Sequence, residues 1–267
     1  MQFNVSDETT IGYEIYGEGK PLLFLPGILG SKKTYDLVLG DLPKNRMCIV
    51  TEYSGQGETV YSQNRRQEYF CVEQHTENLI ALLNHLKIGE FDLIGLSYGS
   101  VIAINLAKHL GNRVNKIALL SVLLCNKTVH YKNWNTLWGE CSHDLDKFTR
   151  ISLGLLFSEQ FLAEMQDPFT TMRQSYSEFS EEHLQAFRFN LKSASSYDIP
   201  TAFENLDQEI ICIHGETDVI HPAHEVKAYL GKVGKTDILD VIPDIGHGLH
   251  VEAPELISQK ISDFLGI

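Results

Sequence analysis

Gly95-Leu96-Ser97-Tyr98-Gly99 sets a serine between two glycines, directly after the apolar run Phe91–Leu96 and directly before a helical pattern. A strand that turns sharply into a helix can hold a serine at its apex in a strained backbone conformation. The positions two before and two after must then be small, or their side chains collide across the turn. Gly95 and Gly99 meet that demand and are read as elbow glycines. Such a turn presents the Ser97 hydroxyl at a sheet edge. It also sets the Tyr98 N–H in the first turn of a helix, where donors are unpaired and the dipole favours an anion.

A serine hydroxyl is a weak nucleophile at neutral pH and needs a base beside it. Of the 11 histidines, His75, His85 and His109 fall on predicted helix surfaces, and His130, His143 and His183 in a helical region. His247 stands apart, in the glycine-flanked loop Ile242-Pro243-Asp244-Ile245-Gly246-His247-Gly248 after a predicted strand. His250 is the competitor, and the loop position favours His247. The imidazole in turn needs a carboxylate to fix its tautomer. Asp218, in His214-Gly215-Glu216-Thr217-Asp218 after another strand, is the candidate, with Glu216 as the alternative. A tetrahedral intermediate needs two donors. Leu25-Pro26-Gly27-Ile28-Leu29-Gly30-Ser31 turns tightly and exposes N–H groups, so Ile28 is expected to complete an oxyanion hole with Tyr98; an ordinary glycine turn is the bland alternative. His221 and His224 lack a third ligand and read as surface histidines, so no metal is expected. No phosphate loop or dinucleotide fingerprint occurs, and no cofactor is implied.

The elements that must position these groups alternate. Short apolar runs at Pro21–Pro26, Arg46–Thr51, Phe91–Leu96, Val114–Val122, Gln208–His214 and Thr236–Ile242 predict buried strands. Thr9–Tyr16 alternates in polarity and predicts an edge strand. Helical periodicity covers 68–87, 98–110 and Pro254–Leu265. Strands alternating with helices imply an α/β fold with a mostly parallel sheet, helices on both faces, and ligands beyond the C-terminal strand ends. The alternation stops between residues 125 and 204, which hold 13 of the 26 aromatic residues. Ser158 and Ser180 look like capping serines at helix starts. The expected organisation is a core of 1–124 and 205–267 with a helical cap inserted at 125–204. Trp134 and Trp138, spaced i,i+4 on one face of that region, are candidate substrate-binding residues.

Bulk properties narrow the class. A net charge of −13 makes nucleic acid an unfavourable partner. No apolar stretch is long enough to span a bilayer, and the first residues lack a signal-peptide pattern, so a cytoplasmic protein, monomer or homodimer, is expected. The five cysteines show no C-x-x-C spacing and are expected to be reduced and structural.

Taken together, L-P-G-I-L-G-S at 25–31, T-E-Y-S-G-Q-G-E-T at 51–59, G-L-S-Y-G at 95–99, H-G-E-T-D at 214–218, I-P-D-I-G-H at 242–247 and E-A-P-E at 252–255 resemble the α/β-hydrolase superfamily over essentially the whole chain. The order Ser97, Asp218, His247 matches the superfamily's. Two stretches depart from its usual pattern: Pro26-Gly27 stands where members usually have His-Gly, and Glu52-Tyr53-Ser54-Gly55-Gln56-Gly57 where D-x-R-G-H-G is common. The resemblance implies a serine hydrolase, a carboxylesterase or thioesterase, acting on a small-molecule substrate with an apolar acyl group through an acyl-enzyme. A narrower similarity, in the loop after 52, the helix at 71–87 and the cap's length, is to bacterial acyltransferases that build lipid precursors from 3-hydroxyacyl thioesters. It suggests acyl transfer to an alcohol as an alternative. A ligand-binding protein that reuses the fold without turnover is a third reading.

Overall fold

The computed structural model describes residues 1–6, 9–61 and 70–267. The strands are β1 (Gln2–Ser6), β2 (Thr9–Tyr16), β3 (Lys20–Leu25), β4 (Arg46–Thr51), β5 (Val60–Tyr61), β6 (Phe91–Leu96), β7 (Val114–Leu120), β8 (Glu209–Gly215) and β9 (Leu239–Ile242). They form a sheet of order β1-β2-β4-β3-β6-β7-β8-β9, with β5 paired to β2. From β4 to β9 every pairing is parallel, while β2 runs antiparallel to β1, β4 and β5.

β6 is buried at all six positions, because helices cover both faces of the central sheet. One face carries α2 (Val72–His85) and α3 (Tyr98–Leu110), whose residues Tyr98–Ala107 are all buried. The other carries α1 (Asp36–Leu39) and α12 (Pro254–Leu265), whose Val38, Ile257 and Ile261 pack with Phe24, Val50 and Ile94 of the strands. Between β7 and β8 the chain is wholly helical: α4 (Val129–Cys141), α5 (Leu145–Leu156), α6 (Glu159–Glu164), α7 (Pro168–Ser177), α8 (Glu181–Ser196) and α9 (Ile199–Glu204). Ser158 and Ser180 cap α6 and α8, accepting from the Phe161 and His183 N–H groups. After β8 come α10 (Ala223–Lys232) and, beyond β9, α11 (Leu249–Glu252).

Several expectations need correction. Thr9–Tyr16 is an interior strand, because β1 adds to its outer side. The edge signature belongs to β1, whose burial alternates exposed and half-buried. The last strand begins at Leu239, since Thr236–Ile238 form a 3-10 turn. β7 stops at Leu120, because Ser121 takes a positive φ of 46°. The helix expected over 68–87 spans Val72–His85, and positions 68 and 69 lie outside the described residues. Among the described residues no helix is long and apolar enough to cross a membrane. Cys48 and Cys212 are fully buried free thiols, pushed up to about 12 by burial.

Candidate active site

Three loops at the C-terminal ends of β6, β8 and β9 carry the predicted nucleophile, carboxylate and base. Ser97 follows β6 with φ 52° and ψ −114°, a left-handed conformation that a non-glycine residue adopts only under constraint. The constraint is visible in its surroundings. The Ser97 N–H donates to the Leu120 carbonyl at 2.8 Å, while its own carbonyl accepts from the Ser100 N–H and Oγ–H. A Cβ on Gly99 would lie 2.2 Å from the Leu25 carbonyl oxygen, and one on Gly95 2.6 Å from the Gly99 carbonyl oxygen. The Gly95 clash is across the turn, as expected; Gly99 is needed because β3 passes against the helix start.

His247 and Asp218 complete a continuous line with Ser97. The Ser97 Oγ lies 2.8 Å from His247 Nε2, and His247 Nδ1 lies 2.7 Å from Asp218 Oδ2. A carboxylate accepts, so Nδ1 carries the proton and Nε2 is free to accept from the hydroxyl. Asp218 is 3% exposed, and its Oδ1 accepts from the Ile220 and His221 N–H groups at 2.9 Å each. Burial pushes this carboxyl up, but the His247 and His214 rings and the His221 N–H outweigh it and hold it at about 2. His214 Nε2 also lies 3.4 Å from Asp218 Oδ2 and donates to the His221 carbonyl. Glu216 points elsewhere, accepting from the Asp244 N–H.

The oxyanion candidates adjoin the serine. The Tyr98 N–H opens α3 and has no acceptor within its helix. The loop carrying Ile28 packs beside Ser97: a Cβ on Gly27 would sit 3.7 Å from the Ser97 Cβ. That is ordinary contact, so Gly27 is not sterically obligatory. Gly30 is, since a Cβ there would meet Thr34 Oγ1 at 2.5 Å and Pro26 Cβ at 2.6 Å. Gln56 Nε2 donates to the Gly27 and Ile28 carbonyls at 2.9 and 2.7 Å, which turns those peptides' N–H groups the other way.

Three supporting residues escaped the sequence reading. Gln56 was visible only as a departure from a common loop pattern. Ser121, at the end of β7, donates its hydroxyl to the His247 carbonyl at 2.6 Å. Glu252 accepts from the Gly246 N–H and from the Ser158 N–H and Oγ–H, tying the histidine loop to the start of α6. Two histidines were misassigned to the surface. His75 is 1% exposed and bonds Asn190 of α8, and His221 is fully buried, accepting from the Cys125 N–H. Burial lowers them to about 4 and about 3. His250 lines a cavity near the serine, but the hydrogen bond to Ser97 is made by His247.

Trp134 and Trp138 both line an apolar cavity that reaches Ser97, with Ile28, Tyr98, Leu123 and Leu191. Trp138 is held by its indole N–H, which donates to Ser152 Oγ at 2.7 Å, and by an edge contact with Phe187 at 5.0 Å. A second cavity also reaches Ser97 and is lined by His247, Gly27, Phe157 and Tyr176.

Comparison with known proteins agrees with this architecture. Residues 20–254 match the family model described as alpha/beta hydrolase fold. The chain is 23% identical over 261 residues to the pyrrolizixenacetamide deacetylase of Xenorhabdus hominickii, covering 97% of this chain and 95% of that protein. It is 24% identical over 274 residues to a putative 2-succinyl-6-hydroxy-2,4-cyclohexadiene-1-carboxylate synthase of Bacillus subtilis (strain 168), covering 98% and 97%. Among solved structures, MGS-M2, an alpha/beta hydrolase enzyme from a Medee basin deep-sea metagenome library, superposes with a TM-score of 0.88 at 23% identity, covering 100% of this chain and 98% of that one. Relatives of similar identity thus include a deacetylase and a putative synthase.

Proposed function

The chain belongs to the alpha/beta hydrolase fold family, and from that premise we propose that it is a serine hydrolase cleaving an ester or thioester of an apolar acyl group. The observation that carries this reading is the unbroken hydrogen-bonded line from Ser97 through His247 to Asp218, at 2.8 and 2.7 Å. His247 Nε2 takes the Ser97 proton as Oγ attacks the carbonyl carbon. The carbonyl oxygen becomes an oxyanion between the Tyr98 and Ile28 N–H groups, at the positive end of α3. The imidazolium, stabilised by Asp218, returns the proton to the leaving oxygen or sulfur as its bond to carbon breaks. Water then repeats the sequence: His247 takes its proton, hydroxide adds to the acyl carbon, and Ser97 leaves with the proton. The helices of 125–204 serve as a cap over the serine, and Trp134 and Trp138 line its acyl site.

The test is hydrolysis of acyl esters and thioesters by the wild-type chain and by Ser97→Ala, with product analysis in the presence and absence of an alcohol. Free acid is expected from wild type, with Ser97→Ala at least 10³-fold slower. Acyl transfer to the alcohol as the main product would replace hydrolysis with transferase chemistry. Full activity in Ser97→Ala would remove the reading.

A further inference from the structure

The two cavities that meet at Ser97 differ in size and in what lines them. The first, walled by Tyr98, Leu123, Trp134, Trp138 and Leu191, has a volume of about 20 Å³. It has about a tenth of the free space of the second. The second measures about 220 Å³. Ser97, Ile28 and Trp138 line both, so they form the boundary between them.

The chemistry of proton return decides which side is which. His247 must reach the leaving oxygen or sulfur, and His247 lines the large cavity but not the small one. On the proposed hydrolase reading, on which this rests, the leaving group therefore occupies the large cavity and the acyl group the small one. We infer that the enzyme is selective for small unfunctionalised acyl groups, acetyl or propionyl, and tolerates bulk only in the leaving group.

The boundary is built not to yield. Trp138 is 6% exposed, and its N–H is bonded to Ser152, which is itself fully buried. Phe148 and Phe187 pack against its ring and against each other, at 5.2 Å between centroids. Swinging the indole aside would break that bond and open a void in this cluster. Three polar groups of the small cavity, Asn135 Nδ2, Tyr131 Oη and Tyr98 Oη, are already engaged with protein. Asn135 Nδ2 donates to Tyr131 Oη and to the Leu191 carbonyl, and Tyr98 Oη donates to Asn190. A hydroxyl or carboxylate on the acyl chain would displace those bonds, which disfavours 3-hydroxyacyl substrates. Trp134 is the looser wall: it is half-buried, with its ring against His130 at 6.2 Å.

Steady-state kcat/KM for 4-nitrophenyl esters from acetate to octanoate, and for acetates of progressively larger alcohols, tests the assignment. For wild type, kcat/KM is expected to fall at least tenfold from acetate or propionate to hexanoate, while enlarging the alcohol of an acetate changes it less than threefold. Trp134→Ala is expected to raise the hexanoate-to-acetate ratio at least tenfold. A wild-type optimum at hexanoate or longer, or rejection of large alcohols rather than large acyl groups, overturns this inference and leaves the hydrolase reading standing. No turnover of any ester removes both. The wild-type profile decides the matter even if Trp134→Ala does not fold.

Discussion

The sheet edge and the helices between β7 and β8 hold their site residues by different means. At the sheet edge, hydrogen bonds to and from backbone atoms do the holding. Ser97 is fixed by a positive φ and by backbone hydrogen bonds, Asp218 by two N–H groups, and the His247 loop by Ser121 and Glu252. In the helical segment, side-chain packing does it: Trp138, Phe148, Tyr176 and Phe187 form one aromatic cluster, with the Trp138 indole N–H bonded to Ser152. Backbone constraint gives the sub-ångström placement that chemistry demands. Packing of interchangeable apolar groups gives a cavity whose shape can change while the fold persists. Substitutions at the edge should therefore act nearly all-or-none, and those in the helices by degrees.

The largest effect should come from His247→Ala, which is expected to lower kcat/KM by about 10⁴-fold or more with secondary structure unchanged by circular dichroism. Activity within tenfold of wild type would mean that another base serves Ser97, and the contrast would fail at its strongest point. Next is Gly99→Val. Its Cβ alone would overlap the Leu25 and Pro26 carbonyl oxygens, at 2.2 and 2.6 Å, so insolubility or a Tm drop of about 10 °C is expected. Gly27→Ala, whose new Cβ has no neighbour closer than 3.7 Å, should keep its Tm within about 3 °C. Equal damage from both would contradict the steric reading of the elbow.

In the helical segment, Phe148→Ala should destabilise by about 3–5 kcal/mol in urea denaturation, because the ring is fully buried. The contrast sharpens if ester turnover per folded molecule falls less than tenfold while acyl selectivity broadens. Loss of turnover equal to that of His247→Ala would erase the distinction.

The smallest effect concerns pH. Burial holds His75 and His250 at about 4 and His221 at about 3 in the folded chain. Below pH 6.5 the unfolded chain takes up protons at these positions and the folded chain does not, so stability falls as pH drops from about 6.5 towards 4. Asp218, held at about 2, contributes stability that is lost only at lower pH, between 3.8 and about 2. Urea midpoints should decline steadily between pH 6.5 and 4, and His75→Gln, which stays neutral, should flatten the decline. An unchanged slope in that variant would show that His75 binds its proton in the folded chain.

What was legible followed from local rules. β4, β6, α3 and α12 have the bounds expected from apolar runs with hard stops at turn residues and proline. Turn chemistry, the strand before each turn and the order along the chain singled out Ser97, Asp218 and His247 over Glu216 and His250, and the fold brings the three into one line. What was not legible depends on partners distant in sequence. The periodicity of α2 says which side of the helix His75 occupies, not that Asn190 of α8 covers it. The alternating polarity of Thr9–Tyr16 does not reveal that β1 pairs outside it and takes the edge. Ser121 lies in no motif, and the stretches that contain Gln56 and Glu252 do not say what those side chains do; all three matter through the backbone atoms they reach.

The most direct measurement is intact-protein mass spectrometry after exposure to a serine-directed fluorophosphonate, followed by peptide mapping. One adduct per chain is predicted, on Ser97, forming at least 10²-fold more slowly in His247→Ala and absent from Ser97→Ala. An adduct on another residue, or labelling of Ser97 at an unchanged rate without His247, would contradict a serine activated by that imidazole.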